Sequence, residues 1–349
     1  MPDIPHLEMF NGSILHAKDY KASNVFQNKK VAIIGLSFSG MEIAADIAKA
    51  ATHVYSVAKR PIWILPRYLS LRPDTAPIPV DLVFYSRESN NLSKGVDPNV
   101  INQRKNQWFR KICQSQSELC PALAVGGLDT NPQFAAISDG YLTGIQSENI
   151  SFHLGEIKRM NENGFELTSG ERINCEVIIF CTGYHVHIPF FDQLILEKLS
   201  FDPNDLLQPM LLYKSVFPKD ISNIGFVGMY RGPFFGIMEL QARWICMVFS
   251  DKVAMPNEVE INKGIQEELD IRLQIPRPQF PHGNYVAFAE ELAEQIDVIP
   301  DFDQIKLEDP ILYHSLINGS FSPASYRLQG FGYNPDISST CNNSGYSSS

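Results

Sequence analysis

The sequence predicts an α/β protein built on a parallel sheet, and three local patterns carry that expectation. Residues 31–34 (Val-Ala-Ile-Ile) and Val177–Phe180 are uninterrupted apolar runs of the kind found in strands buried on both faces. The first run leads into a glycine-bounded turn, Gly35-Leu36-Ser37-Phe38-Ser39-Gly40. Behind the turn, Ile43, Ala44, Ile47, Ala48 and Ala51 recur at helical spacing, with Glu42, Asp46 and Lys49 on the opposite side. His53–Ala58 then supplies a second strand, so that strand, tight turn, helix and strand together make one βαβ unit of about 30 residues.

Taken in order, residues 1–28 are turn-rich and mixed and are expected to be a linker ahead of that unit. Residues 61–100 carry Pro61, Pro66, Pro73, Pro77, Pro79 and Pro98, which predicts loops and short helices. Residues 102–119 read as a helix. Residues 150–160 and 164–168 read as strands about the Asn161-Glu162-Asn163-Gly164 turn, a hairpin. After Val177–Phe180, a further strand is expected at 224–227, ending at Gly228, and a helix at 234–250 with Met238, Leu240, Ile245 and Val248. Residues 331–349 contain six serines among Asn and Gly with no apolar period, and are expected to be a disordered tail. No internal repeat is visible.

Composition narrows the function classes. With 349 residues, 44% hydrophobic and 19% charged, the chain can bury a sizeable core as one large domain or two ordinary ones. Lys and Arg number 29 against 39 Asp and Glu, a net charge of −10, which argues against a broad grip on nucleic acid or anionic lipid. The six cysteines (Cys113, Cys120, Cys175, Cys181, Cys246, Cys341) include no C-x-x-C pair and read as reduced thiols. The opening residues lack a basic and then apolar leader, and no run reaches the ~18 apolar residues of a membrane span. A cytoplasmic protein is expected.

The turn at Gly35 to Gly40 has the residue types a dinucleotide pyrophosphate needs: a tight bend, close backbone approach and free N–H groups at a helix start. Ser37 stands where a second glycine is usual. The alternative is a glycine turn that serves packing alone. Lys59-Arg60, at the end of the second strand, occupies the place where NAD-selecting folds carry an acidic residue; a cationic pair there favours the 2′-phosphate of NADP. Its alternative is a solvated loop pair. Ser37 is no hydrolase elbow, because G-x-S-x-G would need glycine where Ser39 stands. His185 and His187 lack a third metal ligand, and Glu290, Glu291 and Glu294 fit a solvated helix face.

Five ordered motifs then point to a family. Phe10-x-Gly12-x-x-x-His16-x-x-x-Tyr20 resembles the fingerprint of class B flavoprotein monooxygenases. The Gly35 to Gly40 turn and Phe180-Cys181-Thr182-Gly183-Tyr184 are similar to two more of its signatures. Residues 239–244 (Glu-Leu-Gln-Ala-Arg-Trp) and Tyr326-Arg327-Leu328-x-Gly330 resemble the flavin-containing monooxygenases themselves. His6 and Cys181 depart from a usual glycine and alanine. The resemblance implies a Rossmann-like NADP-binding domain with three-layer features over 29–183 and the returning C-terminal part of an FAD-binding Rossmann-like domain over 184–330. It implies NADPH- and O2-dependent oxygenation of an amine nitrogen or sulfide sulfur in a small molecule, with NADP(H) and FAD as cofactors and no catalytic acid–base pair. Gly35, Ser37, Ser39 and Gly40 would cradle the NADP pyrophosphate. Arg60, with Lys59 second, would hold the 2′-phosphate. Thr182 is counted with the cofactor-binding residues, and the segment 229–235, with Met229 and Tyr230, would face the flavin. No partner beyond small molecules is implied, and a homodimer is compatible with the chain.

The family's G-x-G-x-x-G for the FAD pyrophosphate occurs nowhere in this sequence, nor does its active-site Asn. The expectation is therefore an N-terminally truncated relative, inactive by itself, with the strand at 177–180 or 224–227 left as a sheet edge. The rival expectation is a non-catalytic NADP-binding fragment without flavin. A disulfide-reductase relative is weakened by the absence of a close cysteine pair.

Overall fold

Five strands run parallel: β1 (Ser13–His16), β2 (Lys30–Ile34), β3 (His53–Ala58), β4 (Ile150–Leu154) and β5 (Val177–Phe180). In the sheet they take the order β1-β5-β2-β3-β4. The computed structural model describes residues 2–70, 76–128, 130–232 and 234–343. It divides into two units, Met1–Pro73 with Pro98–Tyr184, and Asp74–Asp97 with His185–Ser349.

Strand geometry sends successive side chains to opposite faces of the first unit's sheet. Val31, Ile33, Val54, Val177 and Ile179 enter a core with Met41, Ile47 and Tyr141, from helices α1 (Phe38–Ile47) and α2 (Gly140–Gln146). Ala32, Val57, Ile178 and Phe180 enter a second core with Met160, Phe165 and Ile173. That core belongs to an antiparallel ribbon of Ile157–Asn161, Gly164–Leu167 and Arg172–Asn174. Helices, parallel sheet and ribbon are the three layers of an α/β unit, as expected.

Several boundaries differ from the sequence reading. Residues 1–28 belong to the first unit, because β1 hydrogen-bonds beside β5. The run Val177–Phe180 lies between β1 and β2, so it is an inner strand and no sheet edge. The strand expected over 150–160 is two: Gly155, at φ 155°, ends β4, and Ile157–Asn161 starts the ribbon. The helix expected over 102–119 is Pro98–Ile112 followed by Gln114–Leu119. Residues 224–227 form no strand; one ladder-like bond, Phe226 N–H to the Val216 carbonyl at 2.9 Å, is all that aligns there. The expected tail carries a helix, Ile337–Asn343, whose Cys341 is buried with Leu312 and Leu316. Residues 344–349 lie outside the described residues.

The second unit is helical, and among its described residues no strand exceeds two residues. Helices Phe234–Phe249 and Tyr285–Glu294 bury Trp244, Leu240, Phe288 and Leu292 around Phe217 and Tyr326. Residues 74–97 join this unit through Arg87, which is 3% exposed. Its guanidinium donates to Glu290 at 2.8 Å, to the Leu316 carbonyl at 3.1 Å and to Ser325 at 2.8 Å. The rings of Phe321 and Phe302 stand 5.0 and 5.2 Å from it, so the charge is paired and hydrogen-bonded as a buried charge must be. Among the described residues no helix is long and apolar enough to cross a membrane.

Candidate functional site

In the first unit the sequence-singled residues converge at the carboxyl ends of three neighbouring strands. Thr182 follows β5, the Gly35 to Gly40 turn follows β2, and Lys59-Arg60 follows β3. β2 is joined through α1 to β3 on one side and paired with the last strand, β5, on the other, which makes its end a switch point of the sheet, where open α/β folds bind ligands.

The turn is closed by its glycines. Gly35 has φ 116°, in the region that favours glycine, and a Cβ there would stand 2.5 Å from the Cys181 carbonyl oxygen. A Cβ on Gly40 would stand 1.9 Å from the Gly35 carbonyl oxygen. The bend can therefore lie against β5 only because both side chains are missing. Its outer surface is open: Ser37, Phe38 and Ser39 are exposed, and the Ser37 side chain, at the N-cap, makes no capping bond. The first amides of α1 have no helical acceptor and point outward with the positive end of the helix dipole. Cys181, where the family resemblance puts alanine, lies buried behind the turn; burial pushes its thiol up to about 12, so it stays protonated and unreactive.

The two cations differ. Lys59 Nζ is 2.9 Å from the Glu156 carboxylate, an exposed pair. Arg60 is exposed, and its guanidinium carbon lies 4.3 Å from the centre of the Phe134 ring. Neither partner was foreseen: Glu156 and Phe134 are remote in sequence, and only the pairing of β3 with β4 and of Trp63–Leu65 with Ala135–Ile137 brings them here. Arg67 was also missed. It reaches Glu42 of α1 at 2.5 Å, and its own N–H donates to Asp139, at the start of α2, at 2.8 Å.

The first signature serves packing. The Phe10 ring fills the ribbon-side core, and a Cβ on Gly12 would strike that ring and the Glu176 carbonyl. Tyr20 donates to Asp46 of α1 at 2.5 Å and stacks on Phe26. His16 bonds the Gly183 carbonyl, beside exposed Thr182. The remaining residues, Met229 and Tyr230, belong to the second unit. Met229 is 40% exposed, whereas Tyr230 is 5% exposed and stacks on Phe288 with centroids 5.0 Å apart. Burial raises its hydroxyl pKa, so Tyr230 is a neutral core residue. Of the segment 229–235, Pro233 lies outside the described residues.

The comparisons with known proteins agree with one another. A family model described as flavin-binding monooxygenase-like matches residues 1–338. Rabbit (Oryctolagus cuniculus) flavin-containing monooxygenase 5 is 28% identical over 347 residues, covering 95% of this chain and 60% of that protein. The macaque (Macaca mulatta) N-oxide-forming dimethylaniline monooxygenase 2 is 28% identical over 346 residues, with the same coverage of 95% and 60%. The chain thus spans about 60% of the length of these relatives. Among solved structures, S-allyl-L-cysteine S-oxygenase from Allium sativum superposes with TM-score 0.53 at 19% identity, over 89% of this chain and 56% of that one. A cyclohexanone-bound cyclohexanone monooxygenase gives TM-score 0.59 at 15% identity, over 84% and 70%. A steroid monooxygenase with NADP bound gives 0.52 at 16% identity, over 84% and 70%. At these identities the structures speak for the fold.

Proposed function

The chain belongs to the flavin-binding monooxygenase-like family, and on that premise we propose that its first unit is the NADP(H)-binding part of an NADPH- and O2-dependent oxygenase acting on soft nitrogen or sulfur nucleophiles in small molecules. One arrangement supports this above the others: the turn held tight by Gly35 and Gly40, opening onto the unpartnered amides of α1, with Arg60 at the end of the adjacent strand. Ser37 and Ser39 add hydroxyl donors to the amides that would receive the pyrophosphate. Arg60 would take the 2′-phosphate, with Lys59 released from Glu156 as a second cation. Thr182, exposed at the end of β5, would border the same ligand.

The nucleotide and the flavin, when bound, supply the transfer of electrons to O2 and of oxygen to the substrate; the chain's residues bind, orient and exclude water. For the flavin the fit is looser. Met229 is free to meet its edge, but Tyr230 is taken up in the core. The Gly35 to Gly40 turn is taken by the nucleotide in this reading, and the sequence carries no G-x-G-x-x-G for a second pyrophosphate. That observation favours a second reading, an NADP-binding chain that holds no flavin unaided and oxidises nothing by itself. The nitrogen class is supported by the name of a relative, the N-oxide-forming dimethylaniline monooxygenase.

Titration calorimetry tests the nucleotide site. NADP+ should bind more tightly than NAD+, and Arg60→Ala should remove ~1.5–3 kcal/mol of that preference, the range for hydrogen bonds to a charged group. Equal affinities for the two nucleotides would end this reading. Absorbance of the purified chain after addition and removal of FAD separates the two versions: retained stoichiometric flavin rejects the second.

A further inference from the structure

Phe134 lies directly behind Arg60. It precedes the short strand Ala135–Ile137, and its carbonyl accepts the Trp63 N–H at 2.9 Å, so its backbone is fixed. Its ring is partly buried against the helix-side core of the first unit. The Arg60 guanidinium carbon stands 4.3 Å from the ring centre. A guanidinium laid on an aromatic ring is held through its face, and its N–H edge remains available for a bidentate acceptor. Among the described residues Arg60 is paired with no carboxylate, whereas Lys59, one residue earlier, is occupied by Glu156 at 2.9 Å. The two adjacent cations thus have different partners, Lys59 a carboxylate and Arg60 an aromatic ring.

We propose that Phe134 is a positioning residue that determines nucleotide specificity, holding the Arg60 guanidinium over its ring at the end of β3 so that a 2′-phosphate meets a preset fork. The proposal rests on the reading of this edge as the NADP site and adds the residue that makes its arginine selective. An unbraced arginine loses rotamer freedom when it grips a phosphate; a braced one has lost that freedom on folding, so affinity is gained where the phosphate is present and nowhere else. The effect should fall on NADP and spare NAD, which has no 2′-phosphate.

The test is calorimetry of NADP+ and NAD+ on the whole chain and its variants Phe134→Leu, Phe134→Met, Phe134→Tyr and Arg60→Ala, with thermal unfolding of each. Leu and Met keep an apolar side chain in place and remove the ring; Tyr keeps the ring. In Phe134→Leu, NADP+ affinity should fall roughly 3- to 30-fold, the span of a cation–π contact, while NAD+ affinity stays within about twofold. Phe134→Tyr should retain the preference, and Phe134→Leu added to Arg60→Ala should cost nothing more. If Leu does not fold, Met carries the same comparison. Loss of the preference in Arg60→Ala but full retention in folded Phe134→Leu or Phe134→Met would overturn the role of Phe134 and leave the NADP site standing. A wild-type chain without preference would overturn both.

Discussion

The Nε2–H of His16 donates to the carbonyl of Gly183 at 3.0 Å, across 167 residues of chain. Its Nδ1 accepts the Lys18 N–H at 3.3 Å, so both ring nitrogens are engaged. Tyr184 stands edge-on to the ring at 5.1 Å. The first and third signatures of the sequence therefore pack together at the sheet edge, with His16 bonded to both sides of the contact. His16→Ala should destabilise the first unit by about 1–2 kcal/mol, two modest hydrogen bonds, in urea unfolding. NADP+ affinity should remain within about twofold; abolished binding in a folded variant would contradict a purely structural role.

Glycine exchanges at two positions should act in opposite directions. Gly40→Ala places a Cβ 1.9 Å from the Gly35 carbonyl oxygen and should cost about 3 kcal/mol, the upper range of overpacking. His6 has φ 64°, a left-handed backbone, at the position where the family resemblance calls for glycine. Left-handed geometry costs an L-residue ~1–2 kcal/mol, partly offset by glycine's freer unfolded chain, so His6→Gly should gain about 0.5 kcal/mol or more. Denaturant midpoints measure both.

Removing the acid from the Lys59 pair should strengthen phosphate binding. Glu156→Gln frees the ammonium, and an exposed pair is worth ~0.2–1 kcal/mol, so NADP+ affinity should rise up to about fivefold at low ionic strength. The gain should fade in added salt as the remaining charges are screened. An unchanged affinity at low salt would show that Lys59 stands outside the site.

The edge of the sheet carries a proton-sensitive chain. Ser151 Oγ is 2.8 Å from Nε2 of both His53 and His153, and His153 Nδ1 is 2.8 Å from Glu171. Burial, and then the charges of His153 and Lys30, holds the His53 imidazole below its usual pKa. The unfolded chain therefore takes up this proton first as pH falls below about 6.5, and the stability His53 contributes above that pH is lost on acidification. The melting temperature should drop between pH 7 and pH 5 more steeply in the wild type than in His53→Gln. Parallel slopes would remove His53 as the cause.

What the sequence revealed follows from how local each signal is. The βαβ unit was legible because β2, the turn and α1 carry their own periodicities, and Gly35 and Gly40 are demanded by contacts within and beside the turn. β1 was not, because Ser13–His16 is short, half-exposed and made a strand only by β5, more than 160 residues away. The run at 224–227 is apolar enough for a strand but has no ladder beside it. Helix Ile337–Asn343 is polar in composition and is pinned by one cysteine. At the candidate site the cations were visible, but their unlike states were not, since Glu156 and Phe134 arrive through tertiary pairing. The burial of Tyr230 was not legible, because an aromatic in the loop ahead of a helix reads the same whether it faces a ligand or a core.

Arg87 has a consequence for the order in which the molecule is made. Its three hydrogen-bond partners lie 203, 229 and 238 residues further along the chain. A ribosome adding about 5–20 residues per second exposes the guanidinium at least ten seconds before Glu290 exists. Over that interval β4 and β5, the last two strands of the first unit's parallel sheet, are made, while Arg87 waits for its partners. All five strands of that sheet are thus made before Arg87 can meet Ser325, its most distant partner. Early stops in translation would leave a parallel sheet trailing a buried-type arginine in water, a species marked out for chaperones rather than for a stable half-protein.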